Sequence, residues 1–475
     1  MKTIKYLLIG AMLTVSTGMS AQTADYQPQL NAIYKVLKEN PGKPDAAKNL
    51  VKAYEKAYKK DPAALVALGY GFLSENHLDK AKYYADLVLK KNKTCGDAYV
   101  LLGDIEQQKE EGGQAAMWYK NAMSMDPKNP NGYIKYANIY RKDPATFDDT
   151  MNKLKKEVPS YPIEAESGHS YFIINDYKSA YNYYSKSNQN TNDEQQTYEY
   201  AQAAYFTGNA DKALEVAQKG ISRFPNSNVE KALTRYALYS AVDLGKYTDA
   251  EKYANFMERS DMDLIYNDFQ NIGKVYLAEE KYNEAIERFN KALEKKDDAY
   301  LNYQLLSEAY AGLGEEDQAI SFAEKYLSLA SSVKVSDFTK LADIYSQKAV
   351  EAQKAEDGNV DLYMEKSMGV FDRMIEKFPQ LKTYGILQQG NVAFKLNNNA
   401  LAQSKWLAVI DLLQDKSDRT AREVTDLTSA YRQLGALLWA DKDKGIKAAA
   451  PYLDRLVELD PEDNIAKRYL EAISK

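Results

Sequence analysis

Glycine, tyrosine and alanine return along this chain at a fixed interval, and that interval constrains the fold more than any single motif does. Gly273, Tyr276 and Ala285 find their counterparts in Ser307, Tyr310 and Ala319, one common step further on. The same step carries Gly69 to Gly103 and on to Ala137, and Ala81 to Ala115. A period in this range, about 34 residues, marks stacked supersecondary units, so the chain is read by repeats before it is cut into domains. Within each unit, apolar residues at 3.6-residue spacing give each segment one buried helical stripe. Small residues such as Gly273 and Ala285 let two helix backbones approach, while Tyr276 and Phe289 fill the space between adjacent pairs. One such pair cannot bury its apolar face alone, so neighbours must stack.

The best copies resemble the tetratricopeptide repeat, a 34-residue helix–turn–helix. The stretch YVLLGDIEQQKEEGGQAAMWYKNAMSMDP carries Tyr99, Leu102, Gly103, Ala115, Tyr119, Ala122 and Pro127 at the positions of that signature. Looser copies place a small first-helix residue, or its stand-in, near Gly168, Ala201, Leu238, Ser307, Ala342, Gly390 and Gly435. Their second helices are marked by Ala180, Ala213, Ala250, Ala319, Ser367, Ala402 and Ala449. The resemblance implies an all-α, right-handed α-solenoid of about eleven to twelve helix pairs. It divides the mature chain into a degenerate N-terminal pair (22–61), a solenoid (62–463) and a C-terminal capping helix (464–475). Asp61-Pro62, Asp126-Pro127 and Asp460-Pro461 are expected to stop one helix and help start another.

The register is uneven. RKDPATFDDTMNKLKKEVPSYP compresses one unit by about three residues. The step from Ala342 to Gly390 exceeds the period by about four helical turns, and QKAVEAQKAEDGNVDLYMEK carries the excess. This predicts a longer first helix and an enlarged turn around Asp357-Gly358.

The first residues read as an address. MKTIKYLLIGAMLTVSTGMSAQ has Lys2 and Lys5, an apolar run and then small residues, the pattern of a secretory signal peptide cleaved after Ser20 or Ala21. The run is too short to span a bilayer comfortably, and no other stretch is long and apolar enough. No cysteine stands near the cleavage site, which argues against a lipoprotein, and Cys95 is the only cysteine, so an internal disulfide is excluded. Removing residues 1–21 takes the formal charge from −6 to −6 − 2 = −8. With both signs scattered, nothing makes a nucleic-acid footprint. The expectation is an exported, periplasmic or secreted protein.

Catalytic chemistry is hard to assemble from these residues. His77 and His169 are the only histidines, too few for a His/Cys zinc site. His169 lies in ESGHSY, but Ser167 and Ser170 are chain neighbours that do not face it on a helix. EDGNVD (356–361) and DKDKG (441–445) lack the ligand alternation of a calcium loop and read as turns. No glycine-rich phosphate loop is present. No catalysis, metal or cofactor is expected.

Tyrosine is the anomaly: 39, against 13 Phe and 3 Trp. Framework positions such as Tyr99, Tyr119 and Tyr276 use the ring as a filler with a polar tip. Others, Tyr70, Tyr198, Tyr205 and Tyr239, fall where the resemblance turns first helices towards a binding groove. With Asn138, Arg141, His169, Gln202, Arg235, Gln270 and Lys274 they form the candidate partner surface, aromatic anchors ringed by polar groups. Five of them, Tyr198, Tyr205, Arg235, Tyr239 and Lys274, are expected to be dispensable for the core. The family's carboxylate clamp is not expected, because Ile134 and Leu387 precede Asn138 and Asn391 by one turn. The function expected is a binding scaffold for proteins or peptides of the cell envelope, the alternative being a glycan or cell-wall binder.

Overall fold

In the computed structural model, residues 25–296, 300–330, 332–441 and 445–474 are described; the leader expected at 1–21 and residues 442–444 of the DKDKG stretch lie outside them. The repeat punctuation becomes a set of helix crossings. Ala81, Ala115, Ala180, Ala213, Ala250, Ala285, Ala319, Ala402 and Ala449 are all fully buried. The first-helix glycines explain why. A Cβ on Gly103 would stand 2.3 Å from the Tyr119 ring, one on Gly273 2.4 Å from Phe289, and one on Gly390 2.5 Å from Trp406. All three rings follow their glycine at the same chain interval. Where serine replaces the small residue, its hydroxyl is used: Ser307 Oγ donates to Ala319 O and Ser367 Oγ to Ala342 O, both at 2.8 Å. At both of these crossings a carbonyl is in place to accept the buried hydroxyl.

Among the described residues there are twenty-five α-helices, a 3-10 turn at Pro379–Leu381 and no strand. The contacts group into two compact units, up to Leu244 and from Gly245. Unit 1 holds α1 (Gln27–Glu39), α2 (Lys48–Tyr58), α3 (Pro62–Ser74), α4 (Leu78–Lys91), α5 (Gly96–Gln108) and α6 (Gly112–Met125). It continues with α7 (Pro130–Ile139), α8 (Pro144–Glu157), α9 (Ile163–Phe172), α10 (Tyr177–Tyr184), α11 (Glu194–Phe206), α12 (Ala210–Arg223) and α13 (Asn228–Asp243). Unit 2 begins with α14 (Tyr247–Arg259), α15 (Tyr266–Ala278), α16 (Tyr282–Lys295), α17 (Tyr300–Gly312), α18 (Glu316–Leu329) and α19 (Val335–Lys354). It ends with α20 (Val360–Lys377), α21 (Lys382–Lys395), α22 (Asn399–Leu413), α23 (Ala421–Ala440), α24 (Gly445–Leu459) and α25 (Asn464–Ile473).

Within each unit consecutive helices pair, and each second helix also packs on the next first helix. First helices touch one another directly, α3 against α5, α5 against α7, α9 against α11 and α11 against α13, and in unit 2 α21 against α23 and α23 against α25. This is the paired-helix stacking of a tetratricopeptide solenoid.

Capping shows how the punctuation works. Asp61 Oδ1 accepts from Ala63 N and Ala64 N ahead of α3, whose first residue is Pro62. At Asp126-Pro127 the stop and the start are separate devices. Asp126 ends α6, and Asn129 caps α7 shortly afterwards. Asp460-Pro461 behaves likewise, with Asp463 capping α25.

The compression is spread over several helices, since α7 and α9 have 10 residues and α10 only 8. The excess sits in one hairpin, where α19 has 20 residues and α20 has 18, against 13 and 14 in α15 and α16. Both arms lengthen and the turn at 355–359 grows slightly. Gln353, in the added part, donates from Nε2 to Leu396 O at the end of α21, at 3.0 Å.

Candidate functional site

On α11, residues 198, 202 and 205 fall on one stripe because they are one and two turns apart. The neighbouring first helices α9 and α13 add aromatic side chains at the same level. Tyr198 meets Phe172 of α9 and Tyr236 of α13 at ring-centroid distances of 6.4 and 6.0 Å. Tyr205 meets Tyr236 at 5.7 Å and Tyr239 at 5.6 Å. Phe206 joins Tyr177 at 4.8 Å and Tyr236 at 6.2 Å. The rings cross at 54° for the Tyr198–Tyr236 pair and 51° for Tyr205–Tyr239, so they form an interlocked cluster rather than a co-planar row.

Burial grades across this cluster. Tyr236 and Tyr239 are 8% and 4% exposed and belong to the core. Tyr239 was expected at the surface; its position between Tyr205 and Tyr236 buries it instead. Tyr198 and Tyr205 are half-buried, and Phe206 is 53% exposed at the edge, with Ile174 exposed on the turn after α9. Burial pushes the Tyr205 hydroxyl up to about 12, helped by Asp243. Burial also raises Tyr198, while half-buried Arg235 of α13 opposes the rise. Gln202 contributes a buried Oε1 that accepts no hydrogen bond among the described residues. An acceptor left so costs free energy until a donor reaches it.

The polar residues of the expected surface divide by task. Arg141 clasps helix ends, donating from Nε to Asn138 O and from Nη1 to Ser170 O, at 3.0 and 2.8 Å. It thus ties the last turn of α7 to α9, and burial lowers its pKa. Asn138 Oδ1 is likewise buried with no hydrogen-bond partner among the described residues. His169 Nδ1 lies 3.0 Å from both carboxylate oxygens of Glu199, a residue only 1% exposed. Glu199 also accepts from Tyr184 and from Gln195 Nε2. Burial works against a charged His169, yet the Glu199 hydrogen bond and charge, with Glu166 and Asp193 behind them, raise its pKa. Gln270 and Lys274 stand on α15 in unit 2. There Gln270 is buried and donates from Nε2 to Tyr266 Oη and Asn302 Oδ1; Lys274 is half-buried.

Sequence reasoning missed Phe172, Tyr177, Phe206 and Tyr236. Phe206 was findable, as it extends the Tyr198–Gln202 stripe by one more turn. Tyr236 was not, because burial depends on how α13 rotates against α11. A second network, on α3 to α7, centres on buried Asp104, which accepts from Tyr70 at 2.9 Å and Tyr119 at 2.6 Å and pairs with Lys135 at 3.0 Å. It braces three consecutive first helices. Cys95 precedes α5, and burial raises its thiol pKa, which disfavours the nucleophilic thiolate.

A cleft of about 860 Å³ lies elsewhere, between the turn after α10 and α12, lined by Asn188, Asn190, Asn192, Tyr200 and Arg223 among others. Tyr200 is 1% exposed, so its ring offers no stacking face. Among the described residues no group of three His, Cys, Asp or Glu side chains is placed to hold a metal ion together. No described helix is long and apolar enough to cross a membrane.

The tetratricopeptide repeat family model matches residues 269–295 and 301–332, so the chain carries tetratricopeptide repeats over α15–α16 and α17–α18. Among solved structures, the chain is similar to the C-terminal part of a TPR repeat-containing protein from Cytophaga hutchinsonii. That match has 18% identity and a TM-score of 0.44, and covers 57% of this chain and 99% of that one. It is also similar to a tetratricopeptide repeat protein from Parabacteroides merdae, at 20% identity and a TM-score of 0.30, over 52% and 98% of the two chains.

Proposed function

We propose that this protein is an exported, non-enzymatic scaffold of the cell envelope that holds other proteins or peptides along the first-helix face of α9, α11 and α13. The observation that carries the reading is the graded aromatic cluster: a buried base of Tyr236 and Tyr239 under half-buried Tyr198 and Tyr205 and exposed Phe206. Rigid rings fixed from below lose little entropy on binding, which is what interface anchors require. Tilted, interlocked rings do not offer the flat faces that sugars stack on, so a peptide is favoured over a glycan. The charged, apolar and small-residue pattern of the first residues supports export.

The test is capture with crosslinking from the native envelope, run in parallel with wild-type protein and with Phe206→Ala and Tyr198→Ala. A partner retained by wild type and weakened by on the order of 2 kcal/mol in these variants supports the site. A partner held equally by all three would place binding elsewhere.

A further inference from the structure

We propose that the outer face of α2, together with the end of α4, docks this protein on a membrane surface rich in anionic phospholipid headgroups. Over the whole chain the two signs of charge nearly balance, but here they do not. Residues 46–60 hold five lysines, Lys48, Lys52, Lys56, Lys59 and Lys60, and one carboxylate, Glu55. At 3.6 residues per turn, Lys48, Lys52, Lys56 and Lys59 fall within about 80° of the helix circumference. All five lysines are exposed, because α2 buries only Val51 and Tyr54 against its neighbours. Exposed Lys90, Lys91 and Lys93 close α4 beside them. Lys91 Nζ donates to Lys59 O at 2.9 Å, which joins the two sets.

Neither helix energetics nor ion pairing accounts for these lysines. Cations at a helix C-terminus answer its dipole, but Lys48 opens α2 and Lys52 follows one turn later, where the dipole disfavours them. No ion pair among the described residues engages any of the eight. The carboxylates nearby are held by other groups. Lys80 lies 3.4 Å from Asp45, and Tyr84 Oη donates to Glu55 at 2.9 Å. Asp61 accepts from the first N–H groups of α3, and Asp97 from Asn129 and Asn131 Nδ2. Set against Glu55, Asp61 and Asp97, and even with Asp25 and Asp126 added, the eight lysines leave this face net positive.

The chemistry of the patch selects its partner. It contains no arginine, since Arg141 is the first in the chain. Lysine ammoniums are point charges on flexible stems, suited to a fluid field of phosphates rather than to the fixed bidentate geometry of one anion. Beside the lysine arc, Leu50, 42% exposed, forms an apolar strip with exposed Ala53 and Ala57. A soluble polyanion would leave that strip wet, whereas a bilayer interface covers it. The patch lies on second helices, apart from the first-helix face of α9, α11 and α13, and survives the failure of that reading.

The test is co-sedimentation of protein recovered from the envelope with vesicles of phosphatidylcholine containing about one-third phosphatidylglycerol. Its mass, read first, tells whether the leader is gone, which keeps a failure of the export reading apart from a failure of this one. Wild type should bind these vesicles at about 0.1 M salt, leave them at about 0.5 M, and ignore pure phosphatidylcholine. The triple variant Lys48→Gln, Lys52→Gln, Lys56→Gln should partition about a hundredfold more weakly, at about fivefold per lysine. The triple variant Lys354→Gln, Lys377→Gln, Lys382→Gln removes the same charge from exposed positions in unit 2 and should bind as wild type does. Leu50→Trp should gain a blue-shifted emission on the vesicles. Equal loss in the two triple variants, equal binding to neutral vesicles, or capture of inorganic polyphosphate without binding to vesicles would each overturn the proposal.

Discussion

At the scale of single residues, a first-helix glycine in several repeats leaves room for the second-helix ring laid over it that a Cβ would take. Gly273→Ala places a methyl 2.4 Å from Phe289. Overpacking should cost about 1–3 kcal/mol, more than the roughly 0.5–1 kcal/mol gained by removing a helical glycine. Gly113→Ala is the control, because nothing lies within 4 Å of its added Cβ, and it should stabilise. Urea midpoints of the two variants should move in opposite directions. The small residues and their intervals were legible in the sequence because sterics at a crossing admit few residue types. The His169–Glu199 pair was not, since nothing in a one-dimensional pattern sets α9 beside α11 at that height. That pair has a consequence for pH. His169 has a raised folded pKa, so its stabilisation is full below the unfolded value of about 6.5 and is lost as pH rises through the folded one. Glu166, raised by burial, acts in the same sense at lower pH, from its unfolded value of about 4.3 upwards. The urea midpoint should therefore fall as pH rises above about 6.5, and His169→Gln should flatten that slope.

At the scale of elements, the helix stripe located the aromatic face but could not grade its burial. The α11 residues obey the 3.6-residue period, so Tyr198, Gln202 and Tyr205 were found together. Whether a ring on α13 faces solvent depends on its rotation against α11, and Tyr239 turned inwards. The expected ranking of alanine variants changes accordingly. Phe206→Ala should stay within roughly 0.5 kcal/mol of wild type. Tyr198→Ala should cost about 1 kcal/mol, and Tyr239→Ala about 3 kcal/mol, as for other buried aromatic truncations. Chemical denaturation of the three proteins checks the order. Ala285→Leu tests the element boundaries. Ala285 is fully buried, and each repeat contacts only its neighbours. Hydrogen exchange should lose protection first in α15 to α18 and leave α22 to α25 as before.

At the scale of the whole molecule, periodicity made the all-helical stacked architecture legible over almost the whole chain. The grouping of contacts into two units, meeting in sequence at Leu244 and Gly245, was not legible. GKYTDA around that point reads like any other inter-helix turn. The proposed export makes a measurable claim at this scale. Protein recovered from the envelope of a cell expressing the full chain should have the mass of a product cut after Ser20 or Ala21. An intact N-terminus would remove the basis for placing it there.

The long hairpin of α19 and α20 carries a lesson for engineering. From Ala342 to Ser367 the chain runs 25 positions, where the equivalent span from Ser307 to Ala319 is 12, yet the Ser367–Ala342 bond at the crossing is kept. The added length went into both arms beyond the crossing, about 10 Å on the first arm at roughly 1.5 Å per residue. A hairpin anchored at one point can thus be extended outwards without re-indexing the later repeats. The turn at 355–359, exposed from Ala355 to Asn359, is the natural place to splice in a tag, a reporter or a foreign epitope.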